Sequence, residues 1–266
     1  MNKDKLRSLC QKLSKETGIS FNSIQTHYFL ESILEKISTS DESNNFIFKG
    51  GFLLANVIGI RQRSTVDIDF LIRKFTLTEE NIKQRFEKIL SSGHDNGITY
   101  TIQKIEEIRK EDEYGGFRIT VLCRLENIRQ IIPLDIATGD PITPSDISYN
   151  YKSIFSDSLF KICAYNIETI LAEKIHTVYY RGIFNSRSKD FYDIYILYRL
   201  KSEKINYDIL RNACQNTFKY RSTDFIIGSI IDLISKLKSE KDIRIRWKNY
   251  QMRFRYAEEI SFDEVI

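Results

Sequence analysis

The chain has 266 residues, 42% of them apolar and 12% aromatic, which is enough to bury one large core or two modest ones. Its three prolines and eleven glycines argue against disorder, and no stretch of about 18 apolar residues indicates a membrane span. The 40 basic and 36 acidic residues leave a net charge of +4, which does not establish a nucleic-acid partner on its own. Residues 1–16 are charged and lack the apolar segment of a secretory signal, so we expect a cytoplasmic protein without membrane association.

The first half of the sequence alternates between helical and strand-like apolar spacing. Glycine and polar clusters separate the segments, as they do where a chain turns. The predicted elements, in chain order, are helices over 3–16 and 22–38, a strand over 46–48, a helix over 52–58, a strand over 67–72, a helix over 79–91, and strands over 97–108, 117–125 and 128–136. Pro133 lies inside the last of these strands, which favours an edge position or a strand end.

Pro141 and Pro144 mark the clearest boundary in the sequence, between about 140 and 160. We therefore expect two domains, over 1–150 and 151–266. Helical spacing dominates after the boundary, where Asn166 is a suitable N-cap residue and Gly182 a suitable C′ residue. The helices predicted there cover 167–181, 186 or 188 to 200, 207–218, 226–237 and 242–256.

One stretch of the first half combines a glycine pair with two aspartates. Gly50-Gly51 connects a predicted strand to a predicted helix, so backbone N–H groups at the helix N-terminus can bind an anion such as a phosphate. Asp67 and Asp69 are two residues apart in a predicted strand, which places both carboxylates on one face. The apolar residues of that stretch then face the core: Val66, Ile68 and Phe70. Carboxylate oxygens suit Mg²⁺ bound together with substrate phosphates, and an acidic pair on a solvated face is the structural alternative.

Asp135, near the end of the last predicted strand, supplies a third carboxylate. Three carboxylates on neighbouring strands repel one another unless a cation joins them, so Asp67, Asp69 and Asp135 together favour a magnesium site. Arg61 and Arg63, just before the two aspartates, are candidate phosphate or RNA contacts. An exposed basic loop accounts for these two arginines equally well.

Three charged residues lie inside apolar helical segments of the second half. Lys174 follows an apolar pair, so its stem can pack along a helix while its ammonium reaches a pocket, and a surface lysine is the alternative. Asp190 and Asp193 are three residues apart and so share one face of an apolar helix. Buried charges need partners or a task, which favours a functional role over a surface ion-pair cluster.

The segment 236–255 combines Lys and Arg with three aromatic residues, Trp247, Tyr250 and Phe254. Basic and aromatic side chains together suit a phosphate backbone and unstacked bases. An amphipathic helix with a solvated basic face explains the same pattern equally well.

Several motifs, taken in order, resemble those of the AbiEii/AbiGii toxin family of nucleotidyltransferases. They read KGG, RSTVDIDF, PLDIATGD, ILAEK and RSKDFYDIYIL, and the chain closes with RW and YAEEISFDEVI. The resemblance covers about residue 46 to the C-terminus, and its motifs are specific as a set rather than singly. It implies an α+β fold, in which a polymerase-beta-type nucleotidyltransferase mixed sheet flanked by helices precedes an all-helical C-terminal half that completes the active-site cleft.

The resemblance also assigns roles by position. The implied metal ligands are Asp67, Asp69 and Asp135, which would hold two Mg²⁺ ions. The implied nucleotide contacts are Lys49, Gly50, Gly51, Lys174 and Asp193. The implied catalytic residues are Asp67, Asp69, Asp135, Lys174 and Asp190, with either Asp135 or Asp190 as the general base. Related enzymes commonly carry Gly-Ser where this chain has Gly-Gly, so the phosphate contact would fall to backbone N–H groups.

The implied activity is the Mg²⁺-dependent transfer of a nucleotide from an NTP to RNA, with the tRNA 3′ end as acceptor. The enzyme would be the toxin of a toxin–antitoxin or abortive-infection system, so a cognate antitoxin protein is an expected partner. Two alternatives use the same residues. One is a metal-dependent nuclease or phosphohydrolase that needs no NTP, and the other is a nucleotide-binding toxin without transfer activity.

Overall fold

The structure is a computed structural model that describes residues 1–93, 95–108 and 115–266. Its contacts divide the chain into two compact units. Unit 1 consists of Met1–Asp140 and Ile147–Ala164, and unit 2 consists of Pro141–Asp146 and Tyr165–Ile266. The segment that contains both prolines therefore belongs to unit 2, and the chain returns to unit 1 before it turns helical.

Within the described residues of unit 1, seven strands form one mixed sheet. The strands are β1 (Phe46–Lys49), β2 (Ile68–Ile72), β3 (Thr99–Ile108), β4 (Gly116–Leu125), β5 (Ile128–Thr138), β6 (Ile147–Lys152) and β7 (Leu159–Ala164). Their order across the sheet is β3-β4-β5-β2-β1-β7-β6. The pairs β2·β5 and β1·β7 are parallel, and the other pairs are antiparallel. Parallel neighbours require crossover connections, and these carry helices here.

The helices of unit 1 are α1 (Lys3–Thr17), α2 (Phe21–Thr39), α3 (Gly50–Ile58) and α4 (Glu79–Ser91). Helix α2 is buried along most of its length from Ile24 to Ile37, so it forms the centre of the core rather than a surface layer. Aromatic rings of the strands and helices interlock there, for example Phe46 with Phe86 at 5.3 Å between ring centroids. All nine helices and strands predicted before residue 137 are present, with ends shifted by up to two residues except as described next.

Two details of the predicted aspartate strand are wrong. Strand β2 begins at Ile68, so Asp67 lies in the loop before it. Val66 is 46% exposed and does not face the core. Residues before the first ladder pair, Ile68 with Leu134, have no neighbouring strand to fix their orientation, so the alternation does not extend to them.

Pro133 does not mark a sheet edge, because β5 lies between β4 and β2. It pairs with Thr120 of β4, whereas the ladder with β2 starts one residue later at Leu134. The missing N–H group is therefore tolerated at the end of one ladder inside a central strand.

Strands β6 and β7 were not predicted, because the prolines at 141 and 144 and the polar residues around them suggested a boundary. The hairpin lies at one end of the sheet, and most β6 side chains are exposed, so its apolar signal is weak. A buried carboxylate attaches it to the core. Glu31 of α2 accepts hydrogen bonds from Tyr151 (3.0 Å), Ser153 (2.6 Å) and the backbone N–H of Ile154 (3.0 Å).

Unit 2 is helical, as predicted for the C-terminal half. Its helices are α5 (Ile167–Arg181), α6 (Ser188–Lys201), α7 (Tyr207–Tyr220), α8 (Ile227–Ser239), α9 (Lys241–Arg253) and α10 (Phe262–Val265). Asn166 caps α5 by accepting a hydrogen bond from the N–H of Thr169 at 2.7 Å. Helix α6 begins at Ser188, the second of the two predicted starts; Arg187 is at its N-cap position and makes no side-chain capping bond.

No helix among the described residues is both long and apolar enough to cross a membrane.

Candidate active site

A row of charged residues crosses the sheet of unit 1. Strand pairing places Lys49 beside Asp69, Asp69 beside Asp135, Asp135 beside Arg118, and Arg118 beside Glu106. Directly paired residues project from the same face of a sheet. The row therefore brings together two predicted metal ligands, Asp69 and Asp135, and a predicted nucleotide contact, Lys49. Arg118 and Glu106 continue the row beyond Asp135.

Gly50 allows the Asp69 carboxylate to lie against the start of α3. Its φ angle is +76°, and a Cβ atom at this position would stand 2.0 Å from Oδ2 of Asp69. A side chain at residue 50 would therefore require both a left-handed backbone and the displacement of Asp69. Glycine is required at this position by two independent constraints.

The N-terminus of α3 offers backbone donors beside that carboxylate. Lys49 is its N-cap residue and makes no side-chain capping bond, so the first N–H groups of the helix are not satisfied by a cap. A Cβ at Gly51 would lie 3.4 Å from both Arg63 and Thr65, so the loop before β2 closes over this turn. Arg63 is buried and donates to the backbone oxygen of Ser64, so it supports the loop rather than standing free in solvent.

Asp135 is held by Arg118 of β4. The guanidinium donates from Nε to Oδ1 at 2.7 Å and from Nη2 to Oδ2 at 2.8 Å, which is the paired geometry that arginine and carboxylate favour. These hydrogen bonds raise the pKa of Arg118 well above its ordinary value, and the charge of Asp67 adds to the shift. Both oxygens of Asp135 are thus engaged by one cationic side chain.

The carboxylates differ in how well they suit Mg²⁺. Asp67 is exposed, and Asp69 lies over the glycine turn where no Cβ competes for the space, so both suit a hard divalent cation that also binds substrate phosphates. Asp135 shares both of its oxygens with Arg118. Over the described ranges, no group of three or more His, Cys, Asp and Glu side chains is arranged to hold a metal ion. The three-carboxylate site therefore stays a prediction.

Lys49 forms an ion pair with Asp140, with Nζ 2.6 Å from Oδ2 and both side chains largely buried. The lysine is therefore fixed by a carboxylate that follows β5, next to the charge row. Asp140 and Arg118 were not among the predicted site residues. Both belong to motifs or strands visible in the sequence, but only the sheet register shows which charges become neighbours.

The predicted charges of unit 2 form a second cluster. Nζ of Lys174, on α5, lies 2.7 Å from Oδ1 of Asp190 and 2.8 Å from Oδ2 of Asp193, both on α6. Arg187 donates to the second oxygen of Asp190 at 2.7 Å. The two aspartate side chains are fully buried, so the prediction that this helical face is buried is confirmed. Two positive and two negative groups compensate one another there.

The environment of Lys174 keeps its ammonium charged. Burial lowers its pKa, but the charges of Asp193 and Asp190 more than offset this, so the pKa lies above its ordinary value. The lysine side chain remains 14% exposed while its partners are at 0%. Lys174 and Arg187, whose side chain is 40% exposed, are thus the members of the cluster that a ligand can contact.

The aromatic residues of the basic segment 236–255 do not suit base stacking as a group. Trp247 and Tyr250 are buried in unit 2, where their rings lie 5.5 Å apart. Basic residues of the same segment, including Lys248 and Arg253, are exposed. The aromatic half of this pattern is thus structural, and the basic half remains a candidate phosphate-binding surface.

Two solved structures from Helicobacter pylori are similar to this chain. One, a candidate nucleotidyltransferase, shows 17% sequence identity and a TM-score of 0.49, and the alignment covers 84% of this chain and 86% of that one. The other, JHP933, shows 13% identity and a TM-score of 0.48, with 88% and 99% covered. At these values neither likeness carries an inference about activity. None of the curated proteins matches this chain.

A family model described as "Nucleotidyl transferase AbiEii toxin, Type IV TA system" matches residues 32–266. The matched range includes every strand of the sheet and all residues of the charge row and of the Lys174 cluster. The family that the motifs indicated is thereby confirmed, and the chain belongs to the AbiEii family of nucleotidyl transferase toxins of type IV toxin–antitoxin systems.

Proposed function

We propose that this chain transfers a nucleotide from an NTP to an RNA acceptor in the cytoplasm, with the 3′ end of tRNA as the acceptor and Mg²⁺ as the cofactor. The observation that carries the proposal is the pairing of Asp69 with Asp135 next to the uncapped, glycine-started helix α3. Carboxylates beside the N-terminus of a helix without a side-chain cap suit a metal-bound triphosphate. As a member of a toxin–antitoxin family, the protein is expected to have a cognate antitoxin.

Asp67 and Asp69 would hold the metal ion, and Asp135 would join them once its carboxylate is released. Bound Mg²⁺ supplies charge neutralisation at the transferring phosphoryl group and at the leaving pyrophosphate. The N–H groups of Gly50 and Gly51 would donate to triphosphate oxygens, which orients the nucleotide without a side-chain hydroxyl. Lys49 would add positive charge beside the turn, where Asp140 fixes its position.

In unit 2, Lys174 would bind the nucleotide and neutralise negative charge that develops during transfer. Asp193 and Asp190 would act mainly by orienting this ammonium, since both carboxylates lie within 2.8 Å of it. We propose Asp135 as the general base that accepts the proton of the RNA 3′ hydroxyl. Its side chain is 18% exposed, whereas Asp190 is fully buried between Lys174 and Arg187.

The test is an incubation of the protein with each labelled NTP, total tRNA and Mg²⁺, with label on RNA as the readout. Wild type is expected to label RNA with one NTP above the others, and Asp67→Ala is expected to lose transfer while unfolding at the same temperature as wild type. Asp67 is exposed and outside β2, so its removal leaves the fold unaffected.

Other outcomes separate the competing activities. RNA cleavage that needs Mg²⁺ but no NTP would instead identify a nuclease. Nucleotide binding without label on any RNA would identify a toxin that acts by binding alone. Asp67→Ala that retains full transfer activity would exclude the assignment of this residue as a metal ligand.

A further inference from the structure

Arg118 occupies the side of Asp135 that a metal ion would need. Its guanidinium donates to both carboxylate oxygens at 2.7 and 2.8 Å. A magnesium ion bound to either oxygen would sit about 2 Å from it, and therefore close to the guanidinium. Two positive groups at that separation repel each other, which disfavours simultaneous binding. Arginine and metal ion thus compete for one carboxylate.

The surroundings of Arg118 allow it to leave Asp135. Its side chain is 42% exposed, so its movement does not require the apolar core to rearrange. Its neighbour on the other side of the row is Glu106 of β3, a carboxylate whose charge already contributes to the raised pKa of Arg118. Glu106 is paired with Lys104 at 2.5 Å, so after a change of side-chain rotamer the released guanidinium would share this carboxylate with Lys104.

The rest of the row explains why an arginine is present at this position. In the absence of a cation, Asp69 and Asp135 are adjacent carboxylates on paired strands, and like charges directly opposite each other are destabilising. Lys49 flanks the pair on one side and Arg118 on the other. Arg118 compensates Asp135 before any metal ion binds, while Lys49 on the other side of the pair also serves Asp140.

We propose that Arg118 is a positioning residue that takes the place of the divalent cation at Asp135: it holds the carboxylate in the cation-free protein and must release it when the cation binds. The inference rests on the proposed metal-dependent function, because it assigns Asp135 to the metal site. The Arg118–Asp135 ion pair then limits the affinity of the site for the cation. In the cation-free protein it also reduces the repulsion between the carboxylates of Asp69 and Asp135.

The test is a titration of each protein with Mn²⁺ alone, in which free Mn²⁺ is followed by electron paramagnetic resonance and no nucleotide is present. Arg118→Ala is expected to bind Mn²⁺ about tenfold more tightly than wild type, within the usual range of coupling between two sites. Arg118→Lys, which keeps the charge but not the paired geometry, is expected to fall between them. Arg124→Ala is the matched control, since it removes the same charge six residues further along β4 and should change the affinity by less than about twofold.

Asp135→Asn, alone and combined with Arg118→Ala, shows whether the gain in Mn²⁺ affinity depends on Asp135. The gain is expected to disappear in the double variant, whose affinity should match that of Asp135→Asn. If Arg118→Ala binds Mn²⁺ as tightly as wild type does, or more weakly, the inference is overturned while the metal-dependent function stands. Absence of Mn²⁺ binding in every variant, with intact folding shown by circular dichroism, would also overturn the inference, whereas the transfer assay with NTP and tRNA decides the metal-dependent function separately.

Discussion

Gly50 is a residue at which a single added carbon atom is predicted to have a large effect. Gly50→Ala places Cβ 2.0 Å from the Asp69 carboxylate and forces alanine to a φ of +76°, so we expect unfolding stability to fall by about 2–4 kcal/mol. Gly228→Ala is the control, because nothing lies within 4 Å of its added Cβ near the start of α8, and it should be neutral or stabilising by up to about 1 kcal/mol. Urea unfolding of both variants measures the difference. Equal stabilities would contradict the close approach of Asp69.

His176 gives unit 2 a predicted sensitivity to acid. Burial, and to a smaller extent the charge of Arg221, lower its pKa from 6.5 to about 4, while its Nε2 lies 2.9 Å from the hydroxyl of Thr223. The unfolded chain therefore binds a proton more readily between these values, and stability falls as the pH is lowered from about 6.5 to 4. The expected loss from this group is up to about 3 kcal/mol.

Chemical unfolding of wild type and His176→Gln at pH 7, 5.5 and 4.5 isolates this contribution. Carboxylates titrate in both proteins, so the difference between the two pH profiles reports the histidine alone. The variant should lose less stability than wild type over this interval. Parallel profiles would mean that His176 titrates at an ordinary pKa.

At the scale of elements, the Lys174 cluster joins α5 to α6. Lys174→Met removes the cation that lies between two buried carboxylates and leaves Arg187 beside Asp190, so we expect a loss of about 3–5 kcal/mol in unfolding stability. Lys219→Met, on the exposed side of α7, should change stability by less than about 0.5 kcal/mol. Thermal and urea unfolding measure both changes.

A third protein separates the structural role of Lys174 from its proposed catalytic role. Lys174→Met combined with Asp190→Asn and Asp193→Asn removes the unpaired buried charge and should recover part of the lost stability. Transfer activity should remain absent in this protein if Lys174 contacts the nucleotide. Recovery of activity together with stability would show that the lysine serves the fold alone.

Elements with strong local signals, including strands β1 to β5, could be predicted from the sequence, whereas the β6–β7 hairpin, which depends on long-range pairing, could not. Helix α5 has a capping asparagine and a terminal glycine, and it begins and ends at the predicted residues. Strand β6 of the β6–β7 hairpin has mostly exposed side chains, and the hairpin is attached to the sheet at Phe48 and Ala164, which are 116 positions apart, so no local pattern reveals it. Long-range pairing decides such elements.

The candidate site shows the same division. Motif spacing identified Asp69 and Asp135, and the register confirms that they are neighbours. Arg118 was missed, because a basic residue in an alternating strand is ordinarily a solvated one. Its significance depends on its pairing with Asp135, which is a property of the sheet and not of the strand.

For the whole molecule, the exposed basic residues around the end of α9 predict how the proposed RNA binding should depend on salt. Replacing Lys248, Arg253 and Arg255 by alanine removes up to three phosphate contacts, so the slope of log affinity against log salt should fall by up to about 2–3. Filter binding of tRNA from low to moderate salt measures the slope. Replacing Lys5, Arg7 and Lys12 of α1 removes the same charge elsewhere on the surface. Equal effects of the two triple variants would indicate attraction by net charge only.

The charge row depends on the number of residues in each strand, because an odd insertion moves a side chain to the other face of the sheet and an even one does not. Arg118 and Asp135 meet because a tight turn at Glu126 and Asn127 joins β4 to β5 in a fixed register. One residue inserted in β5 before Asp135 would carry its carboxylate to the face of Leu134 and Ile136, since strand side chains alternate. Two inserted residues would restore the face but move the carboxylate one pair along the strand. Length variation among natural relatives should therefore be confined to segments outside the strands that carry the row.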